Sequence, residues 1–419
     1  MLNVGNYFFL KALLFIAAFG AIGQYLLRLT TGGCRYQLDY TRQPMVSVLL
    51  PVFNESEKIL DTIASIMSSS WPHDRLEVIA WDDCSKDDSY EWLEHAKTLY
   101  GDRLIIGRNA TNSGKHLTLI NASYQSKGEI FIVMDSDCIF DKNAVKELAA
   151  GFTDPEVGAV GGAVGVRNVN DNVLTKAQAV AYFKAFQLNK VSQSLGKYVA
   201  CISGCMFAVR ACVYREIESD ISEHIVLGVP VRYGEDRYMS HVIGLHGWRT
   251  FINFRAFCWT TVPTTIGDFI SQQQRWCRSG SLDPIWTILN LRTNFKKIGV
   301  LPTLTWLLPA MCASIALFVF LVAVMANGFV FFVKSLTVSG FAGGVLFVFL
   351  GLFYNLMAPR MAPGTEKIRN VVELFFAATI WHAIFPVLTG VAWLTFDQGG
   401  WGTRTEAAPQ QPESVSQQQ

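Results

Sequence analysis

Of 419 residues, 51% are hydrophobic and only 16% are charged, against about 25% charged in an ordinary soluble domain. Thirty-five Lys and Arg face 34 Asp and Glu, a net charge of +1 that removes any general electrostatic case for a nucleic-acid partner. Nine Cys without a CxxC pair or a His-rich spacing indicate neither a zinc site nor a disulfide scaffold.

In chain order, Tyr7 to Leu27 holds one charge, Lys11, and reads as a transmembrane helix within residues 1–30. A cleaved signal peptide is the alternative, given small residues at Ala17, Ala18, Gly20 and Ala21. Val46–Val52 and Leu76–Trp81 are apolar runs ended by Asn54-Glu55 and Asp82-Asp83. Between them, Ile59–Met67 carries apolar residues at helical spacing, completing a βαβ unit of a parallel sheet. Further helices are predicted at 87–99 and 238–245, and Ile130–Met134 is a third strand, stopping at Asp135. Residues 44–280 thus form one α/β domain without a GxGxxG or Walker sequence. Ligands of open α/β sheets bind beyond the carboxyl ends of strands, and the carboxylates placed there suit a metal-bridged diphosphate.

Residues 284–300 form either an amphipathic interfacial helix or a plain connector. The uncharged runs Ile298–Val333, Ser335–Pro359 and Leu374–Phe396 each exceed the roughly 20 residues needed to cross a bilayer. They predict three transmembrane helices, at 303–326, 336–357 and 372–396, within a membrane region 301–397. Arg28, Arg35 and Arg42 on one flank of the polar domain, and Arg292, Lys296 and Lys297 on the other, place that domain in the cytoplasm of a multi-pass plasma-membrane protein. Residues 405–419, rich in Gln, Ser and Pro, form a disordered tail.

Four motifs carry candidate chemistry, each beside a plainer reading. Asp83 closes a strand, where it either binds a nucleotide or caps the following helix. Asp135-Ser136-Asp137 places one carboxylate to reach a sugar nucleotide and another to hold a divalent cation, or else makes an Asx-turn. Gly234-Glu235-Asp236-Arg237 opens a helix, as a general base or as a cap. Gln272-Gln273-Gln274-Arg275-Trp276 is either an interfacial anchor or an acceptor platform, with Trp276 stacking on a sugar and Arg275 or Gln272 holding a diphosphate.

The order of these motifs, followed by membrane helices, resembles the membrane-embedded processive family 2 glycosyltransferases over about residues 44–404. The Gly-Glu-Asp-Arg form, with Leu227-Gly228-Val229-Pro230 before it, is similar to hyaluronan synthases and nodulation-type chitooligosaccharide synthases. Asn112-Ser113-Gly114-Lys115 and Trp401-Gly402-Thr403-Arg404 are further matches. The resemblance implies a GT-A-like α/β catalytic domain joined to an α-helical transmembrane region. It implies a UDP-sugar donor, UDP-N-acetylglucosamine foremost, a growing polysaccharide as acceptor, a lipid bilayer, and Mg²⁺ or Mn²⁺.

By the same resemblance Asp83, Lys115, Asp135 and Asp137 bind the donor, Asp137 holding the metal, and Asp236 is the catalytic base. Gly204, Cys205, Glu235, Arg237, Gln272, Arg275 and Trp276 line the acceptor and diphosphate end. Two positions depart from the family: Cys205 replaces a usual Pro, and Cys84 stands where Gly is usual, restricting the turn if the backbone there needs positive φ. A non-processive membrane-anchored transferase acting on a lipid acceptor is the alternative enzyme, and a receptor or transporter that only senses a nucleotide sugar is the alternative of another class.

Overall fold

The computed structural model describes residues 36–395 apart from 227, 228, 232 and 363. The predicted N-terminal helix, the terminal Trp-Gly-Thr-Arg motif and the tail lie outside the described residues.

The first half of the domain follows the apolar pattern closely. Strands β1 (Val46–Val52) and β2 (Leu76–Asp82) flank helix α1 (Ile59–Met67), and helix α2 (Ser89–Tyr100) leads to β3 (Leu104–Arg108). Helix α3 (Lys115–Tyr124) precedes β4 (Ile130–Met134) and the short β5 (Cys138–Phe140). All of β1 is buried because both faces are covered. On one side Val48, Leu50 and Val78 meet Ile59, Ile63, Leu93 and Ala96 of α1 and α2. On the other, Leu49, Ile79 and Phe131 meet Leu119 of α3.

Beyond β4 the sheet changes character. Helix α4 (Ala144–Ala149) is followed by β6 (Val157–Val166), helix α5 (Val173–Phe183) and β7 (Met206–Arg210). Helix α6 (Glu235–Leu245) then precedes β8 (Arg249–Thr260). The eight strands run in the order β3-β2-β1-β4-β7-β6-β8-β5. Strands β3, β2, β1 and β4 are mutually parallel, whereas β7 lies antiparallel between β4 and β6. The sequence VGAVGGAVGV of β6 gives little strand signal, and its glycines serve contact: a Cβ on Gly162 would lie 2.0 Å from Met206 Cε of β7.

Helix α7 (Ile266–Leu289) runs through Pro284 and so extends into residues 284–300. They comprise the last turns of α7 and short helical turns ending at Ile298. Thr265 caps α7 by accepting from the Asp268 N–H, which fixes where the Gln272–Trp276 segment begins its climb. Helix α8 (Leu308–Met361) is interrupted at Gly328, whose φ of 78° breaks the helical run between the first two predicted segments. Helix α9 (Glu373–Leu394) covers the third.

Among the described residues, Val300–Ser335 and Gly340–Met361 are long and apolar enough to cross a membrane. Phe329 is 76% exposed and Phe349 66%, apolar surface that no described part of the chain covers. The inner faces dock on the domain: Phe183 of α5 packs against Tyr354 with ring centroids 5.5 Å apart, and Lys176 Nζ meets Glu373 at 2.6 Å.

Candidate active site

The carboxyl ends of β2 and β4, the loop before β7 and the start of α6 converge. Lys115, the first residue of α3, is buried, and its Nζ lies 2.5 Å from Asp135 Oδ1 and 2.6 Å from Glu235 Oε1. Burial works to lower the Lys115 pKa, but the carboxylates of Asp135, Glu235 and Asp236 override it and hold the ammonium well above the usual lysine range. This one cation therefore ties the end of β4 to the start of α6.

Asp236 follows Glu235 in the first turn of α6. Its Oδ2 accepts the Gly204 N–H at 3.0 Å and lies 3.6 Å from the Cys201 thiol. Burial would raise its carboxyl, yet Lys115, the Gly204 amide, Lys190 and Arg237 outweigh that and hold it below the ordinary carboxylate value. Gly204 sits inside the cluster, where an added Cβ would lie 2.7 Å from Lys115 Nζ. Gly234 caps the helix at φ +69°, and a Cβ there would lie 2.2 Å from Ser279 Oγ of α7.

Asp137 is the accessible member of its pair. Desolvation at the strand end, then the like charges of Asp135 and Glu55, push its carboxyl up to about 6. Glu55 was not among the expected site residues; it is buried and accepts from Ser136 Oγ at 2.7 Å. The acidic residue after β1 was its only signal.

Two further expected residues have partners within the chain. Asp83 is fully buried, and its oxygens accept from Asn109 Nδ2 at 2.7 Å and from the Ser113 and Gly114 N–H groups at 2.8 and 2.9 Å. It braces the loop that presents Lys115. Arg237 turns toward α7 and pairs with Asp283. Cys84 adopts φ 59°, so the turn does need the left-handed conformation that Gly would take freely.

Gln272, Arg275 and Trp276 lie on α7. Trp276 is 41% exposed, with its ring 5.9 Å from that of Tyr182, a residue with no distinctive sequence signal. Tyr182 is buried, and burial above all raises its phenol pKa well above the usual value. The Arg275 Nε is buried with no hydrogen-bond partner among the described residues.

Residues 47–217 match the family described as glycosyl transferase family 2. The chain carries a family 2 glycosyltransferase domain. A hyaluronan synthase of Streptococcus pyogenes is 28% identical over 253 residues, 59% of this chain and 60% of that protein. An N-acetylglucosaminyltransferase of Rhizobium meliloti (strain 1021) is 31% identical over 252 residues, 59% of this chain and 58% of that protein. The chain thus spans about three-fifths of the length of these curated relatives. A mannosyltransferase from Pyrobaculum calidifontis, solved in complex with GDP-Man and Mn²⁺, matches the family 2 domain and its helices with a TM-score of 0.57. That likeness, at 19% identity, covers 92% of this chain and 99% of that one and shows a GT-A-like fold.

Proposed function

We propose that the protein is a processive inverting β-glycosyltransferase. It polymerises a UDP-sugar, with UDP-N-acetylglucosamine the favoured donor, into a chitin- or hyaluronan-type polysaccharide. The observation that carries this reading is the half-buried Asp236, whose Oδ2 accepts the Gly204 N–H and whose carboxyl the Lys115 charge helps hold below its ordinary value, together with an Arg275 Nε that has no hydrogen-bond partner among the described residues. A carboxylate kept ionised can take the proton of an acceptor hydroxyl as its oxygen bonds to the anomeric carbon and the bond to the diphosphate breaks. Arg275 has the planar donor fork suited to the departing phosphates, and exposed Trp276 offers a face for a sugar ring.

The donor set fits a hard divalent cation, because the crowding of Asp137 by Asp135 and Glu55 is a like-charge arrangement that a cation relieves. Asp137 and Asp135 would hold Mg²⁺ or Mn²⁺, whose charge would offset that of the diphosphate.

A polar polymer cannot cross hydrocarbon unaided. The domain contacts α8 and α9 directly through Phe183 and Lys176, which supports a membrane-embedded synthase that hands its product to those helices, with residues 44–280 facing the cytoplasm.

Purified protein given UDP-N-acetylglucosamine alone, and then with UDP-glucuronate, distinguishes the products: polymer from the first mixture is chitin-like, and a strict need for both donors means a hyaluronan type. Asp236→Asn should lower turnover by about 10²–10⁴-fold with UDP binding retained. Undiminished polymer from that variant would overturn the base assignment, and a single sugar on a lipid would favour the non-processive reading.

A further inference from the structure

The sheet gathers three thiols that lie far apart in the chain. Cys138 stands on β5, Cys205 in the loop entering β7, and Cys258 on β8, where antiparallel pairing sets Thr260 opposite Cys138. Ligand atoms of Asp135, Cys138 and Cys205 all lie within 4.8 Å of one another. The Cys258 thiol approaches the Cys205 carbonyl at 4.0 Å and interacts with the Cys138 thiol behind them. All three are free cysteines. Cys138 and Cys258 are buried, whereas Cys205 is half-buried and the Asp135 side chain is 30% exposed, so the cluster opens toward the cleft.

Burial as small hydrophobes accounts for the depth of Cys138 and Cys258, but not for the gathering of Cys138 and the half-buried Cys205 beside the Asp135 carboxylate. We propose that Asp135, Cys138 and Cys205 form a binding site for a thiophilic divalent cation of the Zn²⁺ class, with its remaining coordination position facing the cleft. Tetrahedral bonds of about 2.3 Å to sulfur and 2.0 Å to oxygen put ligand atoms roughly 3.5–3.8 Å apart, so the cluster must contract by on the order of 1 Å. Thiolates select such ions over Mg²⁺ or Mn²⁺, which prefer oxygen ligands, so the site differs in chemistry from the hard-cation position at Asp137 and competes with it for Asp135. On binding, each thiol releases its proton to solvent and donates a sulfur lone pair to the ion.

The site shares Asp135 with Lys115, and an ion there draws the carboxylate away from the ammonium. Zn²⁺ therefore antagonises the donor, a consequence that rests on the transferase reading, whereas the site itself does not.

Full-length protein in detergent is titrated with Co²⁺ and followed by its thiolate-to-cobalt charge-transfer absorption. The wild type should develop this absorption with one equivalent and lose it to Zn²⁺. Cys138→Ser and Cys205→Ser should each weaken binding on the order of 100-fold, as befits direct ligands rather than outer partners. Cys212→Ser, exposed and beyond the far end of β7, should bind as the wild type does. Absence of the band in the wild type, or its persistence in the Cys138→Ser/Cys205→Ser double variant, overturns the site.

A second measurement needs no variant: Zn²⁺ should slow maleimide alkylation of Cys205 read by mass spectrometry, and an unchanged rate overturns the proposal. In turnover assays Zn²⁺ should inhibit the wild type and spare Cys138→Ser relative to its own basal rate. A protein that shows the cobalt band but transfers no sugar would refute the function and leave the site standing.

Discussion

The two ends of the cleft are built on opposite principles. At the strand ends a single ammonium, that of Lys115, meets Asp135 at 2.5 Å and Glu235 at 2.6 Å and also holds Asp236 ionised. On α7, Arg275 Nε has no partner among the described residues and Trp276 is turned outward. The first end is organised before anything binds; the second holds its donors in reserve. Placing the internally satisfied charges at the reacting groups avoids reorganisation during the chemical step, while the open end draws its affinity from what arrives.

Breaking the satisfied end should have the largest effect on stability. Lys115→Met removes the cation and strands partly buried carboxylates, which should cost about 3 kcal/mol in denaturant unfolding. A loss near zero would show that the cluster is dispensable to the fold. At the open end, Arg275→Lys should lower kcat/KM for the donor by about tenfold to a hundredfold, since it removes charge-assisted hydrogen bonds to phosphate while the Arg275 Nε has no hydrogen-bond partner to lose among the described residues. Its melting temperature should stay at the wild-type value, and a large drop would mean that Arg275 has a structural task instead.

Cys84→Gly relieves a left-handed turn next to the braced loop and should stabilise by about 1 kcal/mol. An unchanged midpoint would show that the Cys84 thiol, 3.7 Å from the Ala110 carbonyl, offsets the strain.

The smallest effect lies away from the cleft. His246 is raised above its ordinary value because Glu216 and Asp220 outweigh the opposing effect of burial. A raised folded-state pKa contributes stability that is full below about pH 6.5 and is lost as pH rises through the folded value. Between pH 6 and 8 the wild-type melting temperature should fall on the order of one degree relative to His246→Gln. Parallel curves for the two proteins would remove the assignment.

Legibility in the sequence followed the same division. The parallel half of the sheet was readable because β1, β2 and β4 are unbroken apolar runs ended by acids, the pattern of strands buried on both faces. Strands β6, β7 and β8 were not, because small residues, an antiparallel insertion and a register shift within β8 erase any simple period. Motif residues could be placed at element ends, but their partners could not. Nothing in the spacing says that Asp83 would turn inward to Ser113 and Gly114, that Arg237 would choose Asp283, or that Tyr182 would stand beside Trp276. The cysteines show this most clearly, since a cluster assembled from β5, β8 and the loop before β7 has no signature along the chain.

The pairing of β5 with β8 also sets a schedule. The four mutually parallel strands β1 to β4 are complete once Met134 has been made, but the short edge strand at Cys138–Phe140 has no partner until Cys258–Thr260 emerges. The interval from Thr260 to Val300, where the first long apolar helix among the described residues begins, takes on the order of seconds to synthesise. Closure of the eight-stranded sheet and emergence of the first long apolar helix among the described residues therefore fall within the same few seconds of the protein's synthesis.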